Sequence, residues 1–346
     1  MEKRETCIEV EQTNELHLCS LAKGPRERRQ DLLRRFSSTS LREDIQLMGR
    51  TVRVESNNPG LLDTALQFFL SHQHRLPSEP EFVWRLIIES DETANSAAVP
   101  LTAFSDIDLR LLNIGQRSFV AVDLAKREAV GFLSEEFFGA RARFQHRPPL
   151  DILFCMTASS LGLVSLSGGC VGENGRGVMV FGAPNSGKTT SCYLAARSGL
   201  EFHADQVLFA DARRACVWGD PFPAVFRIES LQFLPELREQ VHHSSYGDSV
   251  FCYFDKSSSQ PREALPIIPV CSLFLNRQQG AQTALRQVSR DEAILRLRES
   301  VLFEEDQRFE EQVSSVLQYL TEKPVYELCY DCNPAIAADY IRTFLQ

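Results

Sequence analysis

No run of apolar residues in this 346-residue chain approaches the roughly 18 that a membrane-spanning helix needs. The first residues are charged and lack the apolar centre of a signal peptide. A basic excess is also lacking, since 37 Lys and Arg against 46 Asp and Glu give a net charge of −9. Proteins that bind nucleic acid through its phosphates need a basic face, which disfavours that class. We therefore expect a cytoplasmic protein that binds neither membrane nor nucleic acid.

A disulfide framework and a zinc-finger pattern are not indicated either, although the chain has 10 cysteines. In a cytosolic protein of this length, scattered cysteines are typical of free buried thiols. Cys329 and Cys332 form a C-x-x-C motif without a second pair at zinc-finger spacing. A redox motif is expected to open a helix after a strand, whereas Asn333 and Pro334 follow here directly. We interpret the motif as structural.

The remaining composition, 43% hydrophobic and 24% charged, is typical of a globular protein of about two domains. Residues 1–45 are rich in charge and serine, which predicts a flexible or loosely packed N-terminal segment. Residues 46–149 contain strand patterns and a helix pattern, and we interpret them as a smaller α+β accessory or recognition domain. Residues 150–346 alternate strands and helices irregularly, which predicts an α/β domain with a mixed sheet flanked by helices. The predicted class is α+β overall.

A phosphate-binding motif follows the apolar residues 178–181. Residues 182–189, GAPNSGKT, match G-x-x-x-x-G-K-[ST] at each fixed position, and a helix pattern follows. Glycines let the backbone turn so that its N–H groups and the helix N-terminus bind phosphate oxygens. Lys188 reaches the β- and γ-phosphates, and the Thr189 hydroxyl ligates Mg²⁺. The predicted site for ATP or GTP with Mg²⁺ consists of Gly182, Ala183, Pro184, Asn185, Ser186, Gly187, Lys188, Thr189 and Thr190.

A metal-bound nucleotide also needs an acid on a neighbouring strand, and Asp205 is the natural candidate. It follows the strand pattern EFHA at a position where a sheet would direct it towards the phosphate loop. We predict that Asp205 and Thr189 are the metal ligands; the alternative is a strand-end aspartate that makes a turn. His203 would share the face of Asp205 in a regular strand, with a packed core histidine as the alternative.

The order of these patterns resembles the HPr kinase/phosphorylase family and its bacterial HPr-kinase-like relatives. The resemblance lies in SLSGGCVGENGRGVMVFGAPNSGKTTSCYLAARSGLEFHADQVLF, where two strands surround a glycine turn and a helix ends at Gly199. It implies for residues 150–346 the nucleotide-binding core that this family shares with phosphoenolpyruvate carboxykinases. It also implies that Asp205 is the catalytic acid/base near the γ-phosphate. Relatives in this family often assemble, so a homo-oligomer is an open expectation.

The resulting hypothesis is a Mg·ATP-dependent phosphotransferase with Lys188 and Asp205 as catalytic residues. Its acceptor would be the hydroxyl of a non-HPr protein, a peptide or a small molecule. Gln206 stands where the family has a second aspartate, and Ser167 stands near the place of its Leu-His histidine. These two residues favour the alternative, a non-catalytic nucleotide sensor with a degenerate kinase site. A carboxykinase-like enzyme is a third interpretation, although the metal-binding His/Lys set of that family is not found.

Two further features are candidates for the same site. Arg227 would add positive charge near the transferring group, with an ordinary surface arginine as the alternative. Residues 238–249 have the composition of a mobile lid.

Overall fold

The computed structural model describes most of the chain from residue 39 onward. The described ranges are 39–68, 79–89, 102–105, 108–113, 118–135, 150–220, 224–239, 242–246, 249–254, 265–302 and 309–346. In this part, strands and six α-helices form a mixed α/β structure, which confirms the coarse fold class. The first strand begins at Leu41, although the N-terminal segment was expected to extend to residue 45. Residues 1–38 of that segment lie outside the described ranges.

Seven strands form the first sheet. They are β1 (Leu41–Leu47), β2 (Arg50–Ser56), β3 (Phe82–Glu89), β4 (Thr102–Ser105), β5 (Leu109–Asn113), β6 (Phe119–Asp123) and β7 (Glu128–Ser134). Their order is β1-β2-β3-β7-β6-β5-β4, with β4 to β7 in an antiparallel meander. Helix α1 (Pro59–Phe68) connects β2 to β3 along the chain and packs on these two parallel strands. It begins where the Asn58 side chain accepts the N–H of Leu61.

Twelve further strands belong to the described C-terminal half. They are β8 (Val164–Ser167), β9 (Gly169–Glu173), β10 (Arg176–Phe181), β11 (Glu201–Ala204), β12 (Val207–Asp211), β13 (Cys216–Gly219), β14 (Ala224–Arg227), β15 (His242–Tyr246), β16 (Ser249–Phe254), β17 (Ile268–Arg277), β18 (Ala284–Gln287) and β19 (Val325–Tyr330). One sheet has the order β11-β9-β10-β17-β19-β18, and two three-stranded sheets have the orders β13-β12-β8 and β14-β16-β15.

Helices cover both faces of the six-stranded sheet. The helices of this half are α2 (Leu150–Ala158), α3 (Lys188–Ala196), α4 (Arg290–Arg298), α5 (Glu310–Thr321) and α6 (Pro334–Leu345). In β10, Val178 and Val180 pack with α3 and α6, whereas Met179 and Phe181 pack with α4 and α5. A strand buried on both faces explains the unbroken apolar run before the phosphate loop. The arrangement matches the predicted mixed sheet flanked by helices.

The three strands β10, β17 and β19 are neighbours and run parallel. Their carboxyl ends therefore meet at one edge of the sheet, which is where ligands bind in open α/β sheets. Strand β9 is antiparallel to β10 and connects to it through a tight turn at Asn174 and Gly175. Both turn residues have positive φ, 52° and 73°, as a two-residue hairpin with this twist requires.

One predicted strand is divided in two. The pattern EFHADQVLFAD predicts a single strand, but it breaks at Asp205 and Gln206 between β11 and β12. Strand β11 joins β9 in the six-stranded sheet, whereas β12 pairs with β8 and β13. Similarly, the pattern LVSLSGGCV divides at Gly168, whose N–H donates to the Gln206 carbonyl at 3.0 Å. The two breaks face each other and move the chain from one sheet to the next.

The apolar core of the seven-stranded sheet continues across the predicted domain boundary at residues 149 and 150. Trp84 of β3 lies edge-on to Phe154 of α2, which in turn contacts Phe209 of β12 at 4.7 Å between ring centroids. Residues 38–346 accordingly form one compact unit. In the described part, no helix combines the length and apolar character needed to cross a membrane. Seven described cysteines are free, and five of these are buried.

Candidate nucleotide site

The phosphate loop, residues 182–189, connects the buried end of β10 to the first turn of α3. Gly182 and Gly187 have φ values of 143° and 93°, in the region that favours glycine. A Cβ at Gly182 would lie 2.6 Å from the Leu275 carbonyl oxygen of β17. A Cβ at Gly187 would lie 2.6 Å from the Tyr330 hydroxyl of β19. Both glycines are therefore required for the turn and for the close approach of the neighbouring strands.

Helix α3 begins at Lys188 and is preceded by Gly187, which has no side chain to cap it. The first N–H groups of a helix lack intrahelical acceptors and carry partial positive charge, which makes this end suitable for an anion. Of the other predicted loop residues, Ala183, Pro184 and Asn185 are exposed, whereas Ser186 and Thr190 are buried. The loop thus presents backbone rather than large side chains.

Lys188 is held over the loop by backbone carbonyls. Its ammonium donates to the Gly182 oxygen at 2.7 Å and to the Ala183 oxygen at 3.1 Å. Burial lowers the pKa of Lys188 from its ordinary value of 10.5. Within the described residues, no carboxylate pairs with this ammonium. A partly buried cation held by neutral groups is suited to binding a phosphate, because a phosphate would offset its desolvation.

Asp205 is 1% exposed and lies beside the first turn of α3. Its Oδ2 accepts the N–H of Val225, the second residue of β14, at 3.1 Å. The Thr189 hydroxyl and the Gln206 amide each approach the same oxygen at 3.5 Å, which is long for a hydrogen bond. The structure therefore brings together Thr189 and Asp205, the two residues predicted to ligate the metal.

Mg²⁺ is usually bound through one or two protein oxygens together with phosphate oxygens and water. The hydroxyl of Thr189 and the carboxylate of Asp205 provide oxygens of this kind from two different elements. Among the described residues, no group of three or more His, Cys, Asp or Glu forms a cluster that would hold a metal by itself. The donor set fits a metal ion that binds with a nucleotide.

His203 and Arg227 do not join these residues. The His203 Nε2 lies 3.0 Å from the Glu201 Oε2 and packs against Gly172. Because β11 runs parallel to β10, that position is near the start of β10, away from the phosphate loop. His203 thus has the packed position that was its alternative interpretation. Arg227 is exposed at the end of β14.

The predicted lid lies partly outside the described residues. Its described part, His242–Tyr246 and the beginning of Ser249–Phe254, forms two antiparallel strands. The sheet that these strands form also contains β14, the strand whose Val225 N–H donates to Asp205. The described strand residues of the predicted lid are thus connected to the site through β14, and their role as a mobile lid stays a prediction.

Two residues at the site have no counterpart in the sequence-based prediction. Tyr330 is fully buried at the end of β19, and its hydroxyl donates to the Ser186 carbonyl at 2.6 Å. Burial raises the pKa of Tyr330, so the hydroxyl keeps its proton. Asp220, 4% exposed, follows β13 and accepts backbone N–H groups at the break between β11 and β12. An acid or a tyrosine at the end of a buried strand is the signal in the sequence, but it does not show which strands are neighbours.

No protein-family model matches the chain, and no curated protein matches it. The interpretation of the site consequently depends on the residues and their geometry.

Proposed function

We propose that this protein is a Mg·ATP-dependent phosphotransferase that transfers the γ-phosphoryl group to a hydroxyl. The observation that carries the proposal is the approach of Thr189 Oγ1 and Asp205 Oδ2 to 3.5 Å at the first turn of α3. This places a carboxylate next to a loop whose lysine has backbone carbonyls as its hydrogen-bond partners. The parallel strands β10, β17 and β19 and the order of motifs support an HPr-kinase/carboxykinase-like fold for this half.

The residues divide the chemistry between binding and proton transfer. Lys188 and the loop amides bind and orient the β- and γ-phosphates, which is most of what phosphoryl transfer requires from a protein. The Asp205 carboxylate accepts the proton of the acceptor hydroxyl as the oxygen–phosphorus bond forms and the bond to ADP breaks. Thr189 and Asp205 would hold Mg²⁺, which neutralises phosphate charge in such sites. The acceptor class is a protein, a peptide or a small hydroxyl compound.

A specific observation favours a second candidate, a nucleotide sensor without transferase activity. Gln206, whose side chain approaches the Asp205 Oδ2 at 3.5 Å, is a neutral amide where the resembling family has a second acid. An amide oxygen is a weaker ligand for Mg²⁺ than a carboxylate. In the sensor, nucleotide binding would order the loop and alter the surface presented to a partner.

One experiment separates the two functions. Purified protein, Mg²⁺ and γ-labelled ATP are incubated with and without cell extract, and both labelled products and released phosphate are measured. Asp205→Asn should bind nucleotide without Mg²⁺ as the wild type does and should lose part of the gain in affinity on adding Mg²⁺, because a metal ligand is weakened. Transfer should fall at least about 100-fold, because the proton acceptor is removed. Lys188→Ala should lose nucleotide binding itself, because it removes the cation that meets the phosphates.

Matched controls are available at exposed positions. Lys126 lies in the turn between β6 and β7, and Asp63 lies on α1, so Lys126→Ala and Asp63→Asn should leave binding and transfer unchanged. If the wild type binds nucleotide but gives no product under any condition, the sensor is the correct interpretation. If the wild type does not bind nucleotide, both functions are rejected.

A further inference from the structure

At the break between β11 and β12, three successive backbone N–H groups donate to one carboxylate. Asp220 Oδ2 accepts from the N–H of Asp205 at 3.3 Å, of Gln206 at 3.4 Å and of Val207 at 3.2 Å. Consecutive amides that converge on one oxygen form an anion-binding concavity, here filled by a side chain of the same protein. The interaction is buried, since Asp220 is 4% exposed.

We propose that Asp220 is a positioning residue: by binding these three amides, it fixes the strand break and directs the Asp205 carboxylate towards Thr189. The inference rests on the proposed function, in which Asp205 acts on the metal and the acceptor. It assigns to Asp220 a role through the backbone rather than through contact with the nucleotide.

The backbone N–H groups at the break need a hydrogen-bond acceptor. Strand β11 ends at Ala204 and β12 begins at Val207, so Asp205 and Gln206 belong to neither strand. Buried N–H groups that leave a strand need another acceptor, and leaving them unsatisfied is unfavourable. The carboxylate of Asp220 supplies that acceptor, and its charge strengthens each bond.

Close packing around the end of β11 brings Asp220 to the break. A Cβ on Gly219, the residue before Asp220, would lie 2.2 Å from the His203 carbonyl oxygen in β11. On the other side, a Cβ on Gly169 would lie 3.1 Å from the Ala204 oxygen. The end of β11 is therefore enclosed by two glycines, and a single carboxylate next to one of them reaches its terminal amides.

The turn between β11 and β12 also sets the direction of the Asp205 side chain. Where β11 ends, the chain leaves the six-stranded sheet and enters the sheet of β12. The turn between them is where Asp205 meets the Val225 N–H and the Thr189 hydroxyl. Loosening the turn would move this carboxylate relative to Thr189 at the first turn of α3.

The test combines two measurements on Asp220→Asn. Hydrogen exchange at residues 205–207 should become about 10- to 100-fold faster, because a neutral amide oxygen replaces a charged acceptor. Nucleotide affinity without Mg²⁺ should stay unchanged, whereas the gain in affinity on adding Mg²⁺ should fall about tenfold. A merely destabilising substitution would not separate these two affinities.

Asp211→Asn is the matched control, because Asp211 is also buried and lies at the opposite end of β12. It should accelerate exchange near residue 211 and leave the effect of Mg²⁺ on nucleotide affinity intact. If Asp220→Asn does not fold, the wild type alone decides: rapid exchange of the three amides would overturn the proposal.

The remaining outcomes are also decisive. Faster exchange at residues 205–207 with an unchanged Mg²⁺ effect would overturn the positioning role but leave the proposed function standing. A wild type that fails to bind nucleotide would reject the proposed function, and the role of Asp220 with it. Faster exchange together with a reduced Mg²⁺ effect, both absent in Asp211→Asn, would support the proposal.

Discussion

Two buried aspartates at the two ends of β12 have different surroundings. Asp211, the last residue of β12, is fully buried and forms an ion pair with Arg50 at 2.7 Å. Asp205, two residues before β12, is almost as buried, but the donors described above for its Oδ2 are the neutral groups of Val225, Thr189 and Gln206. An aspartate thus forms a structural ion pair at one end of β12, and another aspartate is a candidate metal ligand near the other end.

The two cations follow the same division. Arg50 extends from β2, donates to the Leu161 carbonyl at 2.8 Å and pairs with Asp211, so it connects the seven-stranded sheet to β12. Lys188 donates to two carbonyls of its own loop. A buried charge with an opposite charge beside it is internally compensated. A buried charge held by neutral groups is stabilised further by a charged ligand, which is why we place binding at Lys188 and structure at Arg50.

The largest expected effect comes from breaking the compensated region. Arg50→Ala should destabilise the protein by up to about 3–5 kcal/mol, because it removes the closer guanidinium partner of the buried Asp211 carboxylate and leaves it only Arg214, at 3.8 Å. Denaturant unfolding measures this loss, and nucleotide affinity of the folded fraction should stay unchanged. Arg53→Ala, which breaks the exposed pair with Asp44, is the control and should change stability by at most about 1 kcal/mol. Equal losses from both variants would contradict the comparison.

A smaller effect is expected where a neutral hydrogen bond supports the phosphate loop. Tyr330→Phe removes the donor to the buried Ser186 carbonyl and should destabilise the protein by about 1–3 kcal/mol. Nucleotide affinity should fall several-fold, because the loop loses its contact with β19. Calorimetry and titration with a fluorescent nucleotide measure the two effects. Tyr319→Phe, whose hydroxyl bonds to the Ala215 carbonyl, is the control and should leave affinity unchanged.

The smallest expected effect is a dependence of nucleotide affinity on pH, which Lys188 should cause. Burial lowers the pKa of Lys188, so its ammonium loses its proton at a lower pH than an exposed lysine does. Only the protonated form attracts phosphate; affinity should therefore fall as pH rises through this pKa, by up to about tenfold for each further unit. Lys188→Arg keeps its charge at alkaline pH and should abolish the decrease. An identical alkaline decrease in both proteins would exclude Lys188 as its source.

Several elements follow from local patterns and agree with the structure. Strands β5, β6 and β7 coincide with strand patterns within residues 46–149. Ser289 caps helix α4 through its hydroxyl, which accepts the Glu292 N–H, and Asn333 caps α6. Caps and alternation are recognisable because they depend on residues within a few positions of one another.

The positions of Asp205 and Gln206 did not follow from such local patterns. In EFHADQVLFAD the apolar alternation ends at Asp205 and Gln206, two adjacent polar residues, but this does not show that the chain changes sheets there or that Asp220 binds the break. The sequence predicts that Asp205 follows the strand EFHA and is directed to the loop by the sheet, with a strand-end turn as the alternative. In the structure Asp205 lies in a turn after β11, and its carboxylate also approaches Thr189. The expected separate domains at residues 46–149 and 150–346 likewise share a core through Trp84 and Phe154.

By itself, the sequence identified residues 182–189 as a candidate phosphate loop, because the glycines, lysine and threonine of the motif lie within eight consecutive residues at the start of a single helix. It also determined the unbroken apolar run of β10, which is typical of a strand covered on both faces. Only the tertiary structure decided that β17 and β19 support the loop and that Asp220 holds the turn at Asp205. These contacts join residues far apart in the chain, and their geometry depends on strand order, which no local propensity specifies.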